Sequence, residues 1–309
     1  MRNSQWGTHA LASVGLACAS LFFLPGLKSA DGVINLEQAV ERTMAGQSGS
    51  LVVVDVASGT VRAAYRLDLA ARTLTRPGST LKPFVLKELL ESHRLDASRK
   101  FTCRRVLRIA GAQMDCTHPA SVTELDASTA IAYSCNSYVA EVSLQLTDAE
   151  LVQVFRRAGL DSRSGLAKEE VIGHIDRPRN PEELQLEALG TRGIEVTPLE
   201  LLEAYRKLAL QQQRSGKLDA AEPVFLGLRQ SITFGMAHAA QTDAMEVAGK
   251  TGTASSRESA QSHGFFVGYA PAQIPEIALI VFLERGRGMD AASLAQPVFA
   301  EFGREKRMP

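Results

Sequence analysis

The chain lacks any surplus of charge. Lys plus Arg and Asp plus Glu number 34 each, the formal net charge is +0, and no long basic or acidic block occurs. Electrostatic capture of nucleic acid needs a Lys/Arg excess somewhere on the surface, so nucleic acid is not an expected partner. Basic pairs such as Arg104–Arg105 and Arg156–Arg157 read instead as solvated helix faces. There is no internal repeat or low-complexity tract, no His-Glu-x-x-His helix and no Ser-His-Asp order. Those absences leave no sign of a metallopeptidase helix or of a classical triad. His118 and His263 have no Asp in register and are expected to be structural. Neither a metal nor any other cofactor is therefore expected.

Cysteine is scarce too, with four in 309 residues. Cys18 falls in an uncharged run, Ala10 to Leu27, that follows Arg2 and ends at Pro25-Gly26 before Lys28. Such a run suits a secretory h-region or a marginal membrane span, so residues 1–30 are expected to be a signal peptide or a membrane anchor. Export would place the rest, 31–309, in the periplasm or on the outer face of the cytoplasmic membrane. In that oxidising setting Cys103 and Cys116, flanking a short loop with Gly111, are expected to form a disulfide worth roughly 3 kcal/mol. Two buried free thiols are the alternative; zinc finds no support in a second cysteine pair or a histidine spacing. Cys135 is then the odd thiol.

What is present is ordinary globular material, 45% hydrophobic and 22% charged, enough to bury a full core. Asn35 to Ala45 predicts an amphipathic helix with Leu36, Ala39, Val40 and Met44 on one side. Next comes "GSLVVVDVASGTVRAAYR", two β-branched runs about a Ser58-Gly59 turn, which reads as a hairpin. The middle is helix-rich: one helix is capped by Thr147 and ended by Gly159, another is capped by Thr197 with Pro198 in its first turn. Residues 161–181 read as a surface connection. "MEVAGKTGTAS", "HGFFVGYAP" and "EIALIVFLERG" are spaced as three adjacent antiparallel strands, before a closing helix. The expected fold is α/β (α+β): an antiparallel sheet formed from N- and C-terminal segments, flanked by helices, with a helical region over about 85–230 inserted.

Three short motifs follow one another along this framework. Ser79-Thr80-Leu81-Lys82 opens a helix, Ser134-Cys135-Asn136 lies in the helical middle, and Lys250-Thr251-Gly252 lies on the first late strand. A Ser-x-x-Lys tetrad alone arises by chance about once in such a chain, and Ser79 alone reads as a helix cap. A serine hydroxyl is a poor nucleophile without a nearby base. Lys82, three residues on, lies one turn up the same helix face, and a charge on Lys250 is expected to favour its neutral form.

The ordered trio resembles that of penicillin-binding proteins and serine β-lactamases. From about Gly49 to Phe302 the chain resembles a penicillin-binding protein transpeptidase domain, in "ASGTVRAAY", "RPGSTLKPF", "ALGTRGIEVTPLELLEAYRKLA" and "AGKTGTAS" with "HGFFVGYAP". The series Cys103, Cys116, His118 and "SCN" is similar to a subset of these enzymes. The resemblance implies Ser79 as nucleophile, Lys82 as base, Ser134 as proton relay, and Asn136 as partner to substrate amide and Lys82. It also implies Lys250 and Thr251 as carboxylate holders, Gly252 as the residue letting a substrate strand approach, and the amides of Ser79 and Thr253 as oxyanion hole.

The implied activity is D,D-transpeptidation of D-Ala-D-Ala stem peptides of peptidoglycan, with β-lactams acylating the same serine. Alternatives are a β-lactamase or D,D-carboxypeptidase, with Glu182, Glu183 and Glu187 as candidate deacylation bases, or a β-lactam sensor or assembly scaffold. The chain is expected to be a near-minimal catalytic domain, without a glycosyltransferase domain or a large N-terminal pedestal. Positioning on the wall is expected to come from a membrane anchor or from a glycosyltransferase or other cell-wall assembly partner.

Overall fold

A computed structural model describes residues 35–214, 219–255 and 261–307. The expected signal peptide or anchor over 1–30 lies outside the described residues, among which no helix is long and apolar enough to cross a membrane.

Helix α1 (Leu36–Met44) is capped by the Asn35 side chain, which accepts from Gln38 N, and buries the four apolar residues of its predicted face. Strands β1 (Gly49–Asp55) and β2 (Val61–Tyr65) form the hairpin. The chain then runs through α2 (Leu67–Arg72), a 3-10 turn (Gly78–Leu81) and α3 (Lys82–Glu91). Helices α4 (Ala127–Ala132), α5 (Asn136–Ser143), α6 (Asp148–Ala158), α7 (Pro181–Ala188), α8 (Pro198–Arg214) and α9 (Glu222–Thr233) make up the inserted region. Strands β3 (Ala248–Ser255), β4 (Ser262–Ala270) and β5 (Ile277–Leu283) return to the sheet, and α10 (Gly288–Glu305) closes the chain.

The sheet order is β2-β1-β5-β4-β3, with all four neighbouring pairs antiparallel. The N-terminal hairpin therefore joins the C-terminal meander through β1 and β5, in register Val52 to Ile280. Both faces are covered, which is why β1 and β5 are continuous apolar runs and do not alternate. Val52, Val54, Ala278, Ile280 and Phe282 pack into the core shared with the helical region. Leu51, Val53, Ile277, Leu279 and Val281 pack into a second core with α1 and α10. Strand β3 is the edge, and it is the edge beside the Gly78–Leu81 turn.

The cap signals hold at residue level. Thr147 and Glu150 form a capping box on α6, and Gly159 ends that helix at φ 90°. Thr197 Oγ1 accepts from Glu200 N at 3.1 Å, and Glu200 Oε2 accepts from Thr197 N at 2.7 Å, starting α8.

Candidate active site

The serine tetrad opens on a 3-10 turn, which passes into α3 only at Lys82. Lys82 N donates to Ser79 O across that turn, and side chains three apart on it share one face. The turn is braced from several sides. Gly78 N donates to Gly190 O at 2.9 Å, and Thr80 Oγ1 donates to Pro77 O at 2.9 Å. Tyr205 of α8 reaches across to donate its hydroxyl to Thr80 O at 2.8 Å. On the strand side Gly252 meets the turn so closely that a Cβ there would stand 2.7 Å from Pro77 O. Gly252 thus permits the nucleophile turn to lie on the edge strand.

Ser134 and Asn136 do not lie within one continuous helix, although the sequence has helical period across them. Helix α4 stops at Ala132, Ser134 takes φ 54°, and Asn136 begins α5. A serine held in the left-handed region carries strain of about 1–3 kcal/mol, a price found most often at functional sites. Here the turn aims Ser134 between two buried lysines. Lys250 Nζ donates to Ser134 Oγ at 2.9 Å and to Thr251 O at 2.9 Å. Lys82 Nζ donates to Ser134 O at 2.7 Å, approaches Ser134 Oγ at 3.4 Å, and hydrogen-bonds Asn136 Oδ1. The Asn136 amide in turn donates to Met114 O at 3.0 Å and Asp115 O at 3.3 Å.

Both amines are fully buried. Burial lowers Lys82 to about 8, against a smaller upward pull from the nearby cysteines. Lys250 is lowered well below the ordinary lysine range, first by burial and then by the charge of Lys82. Repulsion between the two amines is mutual, so a proton on either one favours the neutral form of the other, on top of the desolvation that both share.

Ser79, Asn136 and Thr253 line one cleft of about 380 Å³, with Arg76, Asp115 and Arg192 supplying its charge. Thr251 lies behind it, 7% exposed, on the edge strand. Thr253 Oγ1 accepts from Gly288 N at 2.9 Å, which ties the end of β3 to the start of α10. The candidate deacylation bases lie elsewhere. Glu183 accepts from Arg179 Nη2 at 2.8 Å, and Glu182 is exposed. Glu187 lines a separate pocket with Asp176 and Arg192, and burial raises its carboxyl to about 9, leaving it protonated near neutral pH. Asp115 lowers its own basicity by accepting from Gln113 and from Leu107 N.

The expected Cys103–Cys116 disulfide is corrected as well. Cys103, Cys116 and Cys135 are all free and buried. Cys135 Sγ stands 3.5 Å from Cys103 Sγ and 3.7 Å from Cys116 Sγ, so the supposed odd thiol joins the other two. His118 completes the group, with the four ligand atoms all within 4.8 Å of one another. Sequence spacing concealed this cluster, because α4 and the following turn bring Cys135 back against a loop 19 residues earlier. His263 stays structural, its Nδ1 hydrogen-bonded to Thr75 Oγ1 at 2.7 Å.

Sequence reasoning also missed Tyr205 and Ser231, whose hydroxyl hydrogen-bonds Gly249 O just before Lys250. The Thr-Pro helix entry pointed to the helix carrying Tyr205, but no local signal singles out Ser231.

Comparison with known proteins agrees with this geometry. The model of the penicillin binding protein transpeptidase domain matches residues 49–303. Peptidoglycan D,D-transpeptidase MrdA of Acinetobacter baumannii is 43% identical over 83 residues, 22% of this chain and 12% of that protein. Probable peptidoglycan D,D-transpeptidase PenA of Neisseria flavescens is 26% identical over 300 residues, covering 82% of this chain and 74% of that protein. Among solved structures, the D,D-transpeptidase domain of a peptidoglycan glycosyltransferase from Eggerthella lenta superposes with TM-score 0.75 at 21% identity, over 88% of this chain and 81% of that one. The transpeptidase domain of Burkholderia pseudomallei penicillin-binding protein 3 gives 0.77 at 19% identity, over 89% and 95%.

Proposed function

The chain belongs to the penicillin-binding protein transpeptidase family, and from that premise we propose that it is an exported D,D-transpeptidase acting through a Ser79 acyl-enzyme. The observation that carries the reading is the single hydroxyl of Ser134 shared by Lys82 and Lys250 beside the Ser79 turn. Neutral Lys82 can donate two protons, to Ser134 O and Asn136 Oδ1, and keep its lone pair for a third.

In the proposed reaction the stem-peptide D-Ala-D-Ala enters the cleft with its terminal carboxylate toward Lys250, Thr251 and Thr253. That negative charge favours protonated Lys250 and so neutral Lys82. Lys82 takes the Ser79 proton as Oγ bonds to the penultimate D-Ala carbonyl carbon. The carbonyl π pair moves to oxygen, which faces the amides of Ser79 and Thr253; each such donor contributes about 3 kcal/mol. Collapse breaks the peptide bond as Ser134 passes its proton to the leaving D-Ala amine and takes the one held on Lys82, which returns to the neutral amine. An amine of a second stem then attacks the ester carbon and gives up a proton through Ser134 to Lys82, and Lys82 returns a proton to Ser79 Oγ as the ester bond breaks. β-Lactams present a similar carbonyl and carboxylate and would acylate the same oxygen. The placement of Glu182, Glu183 and Glu187 outside the cleft supports an amine acceptor over a lactamase's activated water.

The test is fluorescent penicillin with parent and Ser79→Ala, followed by a stem-peptide assay with an amine acceptor. Persistent label on the parent alone, D-Ala release and a cross-linked product are expected. An unlabelled parent would overturn the acyl-enzyme, and fast label loss or hydrolysis alone would make the chain a hydrolase.

The lysine pair also sets a pH profile. Because the neutral amine is the base, acylation should rise as pH increases through about 8 and then level off. Stopped-flow penicillin acylation between roughly pH 6 and 10 measures it. A rate that is flat or falls across that range rules out Lys82 as the base.

A further inference from the structure

We propose that Cys103, Cys116, His118 and Cys135 bind one Zn²⁺ in a tetrahedral S₃N site that holds the Ser134–Asn136 turn in place. The donor atoms are already arranged as the faces of such a site require. A zinc–sulfur bond of about 2.3 Å makes the sulfur–sulfur edge of a tetrahedron about 3.8 Å. Two edges stand at 3.5 and 3.7 Å. A disulfide would bring two sulfurs to about 2.05 Å and leave the third thiol unused. The tetrahedron uses all four groups.

The surroundings independently suit metal-bound thiolates. Each sulfur accepts a backbone N–H: Cys103 from Arg105 at 3.3 Å, Cys116 from Ser137 at 3.4 Å, Cys135 from Tyr138 at 3.4 Å. Hydrogen bonds of this kind favour the charged sulfur. His118 is 1% exposed, and its Nδ1 lies 3.2 Å from Pro119 O, where a ring N–H can donate. Arg105 Nη1 also approaches Nδ1, at the longer distance of 3.5 Å; with Nδ1–H donated to the closer carbonyl the lone pair lies on Nε2, which is buried with no hydrogen-bond partner. A histidine that donates one ring nitrogen to a carbonyl while leaving the other bare is the usual arrangement of a zinc ligand. Three thiols and one imidazole also select Zn²⁺ over the hard oxygen-seeking cations. On binding, each thiol gives its proton to solvent, histidine binds neutral, and no oxidant is consumed.

The site reaches the catalytic groups through the chain itself. Cys135 is the residue between Ser134 and Asn136, and the Asn136 amide is held by the carbonyls of Met114 and Asp115, directly before Cys116. Metal ligation on both sides therefore sets where the lysine-bearing hydroxyl and amide sit.

The test uses the full chain purified without a polyhistidine tag. Elemental analysis should find about one zinc per chain, and cobalt replacement should give the thiolate charge-transfer and strong visible bands of a tetrahedral site. Zinc should protect Cys103, Cys116 and Cys135, read by peptide mapping apart from Cys18, from alkylation until a strong chelator is added, and chelation should lower Tm. His118→Ala should lose most of the zinc, and His118→Cys, which keeps a fourth ligand, should regain it even if the alanine variant is poorly folded. Absence of zinc with one alkylatable and two oxidised cysteines would overturn the site, as would stoichiometric copper or iron in its place. These readouts do not depend on acylation. Zinc without penicillin labelling would leave the site standing and remove the catalytic reading alone; zinc absent with labelling intact does the reverse.

Discussion

Lys82→Met should slow penicillin acylation by roughly 10³-fold while the chain stays folded. The base argument sets the first half. Lys82 is fully buried, on the same face of a 3-10 turn as Ser79, and bonded to Ser134 and Asn136, so it is well placed to receive the serine proton. General-base removal costs about 10²–10⁴ in rate, and among the described residues the one carboxylate lining the cleft, Asp115, is held below the usual carboxylate range, which puts this case in the middle of that span. The second half follows from opposing terms. Methionine fills nearly the same volume and removes a desolvated amine, which helps stability. It also strips Ser134 O and Asn136 Oδ1 of a donor, a loss of about 1–3 kcal/mol for each group left unsatisfied. The two nearly offset, so Tm should move by only a few degrees, about 2–4 °C per kcal/mol of net change. Loss of acylation together with loss of the folded near-ultraviolet spectrum would mean a structural defect. Acylation near the parent rate would remove Lys82 from the mechanism.

Much of the fold was legible because its physics is local or periodic. The hairpin about Ser58-Gly59, the caps at Thr147 and Thr197, and the three late strands each announce themselves within a dozen residues. The motif residues were legible for a different reason. They match the ordered motifs of a known family, and three weak signals in order outweigh each one's chance reading. One feature escaped because helical period does not report a broken helix. The run through Tyr133 to Tyr138 keeps its apolar spacing across the left-handed Ser134 turn, so the break that exposes the hydroxyl to both lysines is invisible in the pattern. The cysteine cluster escaped because spacing arithmetic pairs neighbours in sequence. The group closes only when Cys135 folds back on Cys103 and Cys116.

Gly190→Ala should be the most damaging single methyl near the site, and its effect separates geometry from chemistry. Gly190 sits at φ 69°, just past the end of α7, and accepts from Gly78 N at 2.9 Å. A Cβ there would fall 2.2 Å from Gly78 O and 2.8 Å from Gly78 C and N. These are backbone atoms of the residue before the nucleophile, with no flexible side chain to swing away. Either the end of α7 lifts or the Gly78–Leu81 turn moves, and the turn is pinned by Tyr205 above and by Gly252 against Pro77 O. A shift of even about 1 Å at Ser79 is enough to cost roughly 10²-fold in rate. Left-handed strain adds about 1–3 kcal/mol and the clash about as much again, so Tm should fall by roughly 5–20 °C. Gly46→Ala is the matched control: Gly46 has φ 77°, yet its Cβ would meet nothing within 4 Å. It should show the strain alone, with acylation unchanged. If Gly46→Ala and Gly190→Ala lose equal stability and both acylate normally, the tight backbone contact behind Ser79 has no part in aligning it. If only Gly190→Ala loses acylation, the end of α7 is part of what aims the nucleophile, although it carries none of the chemistry.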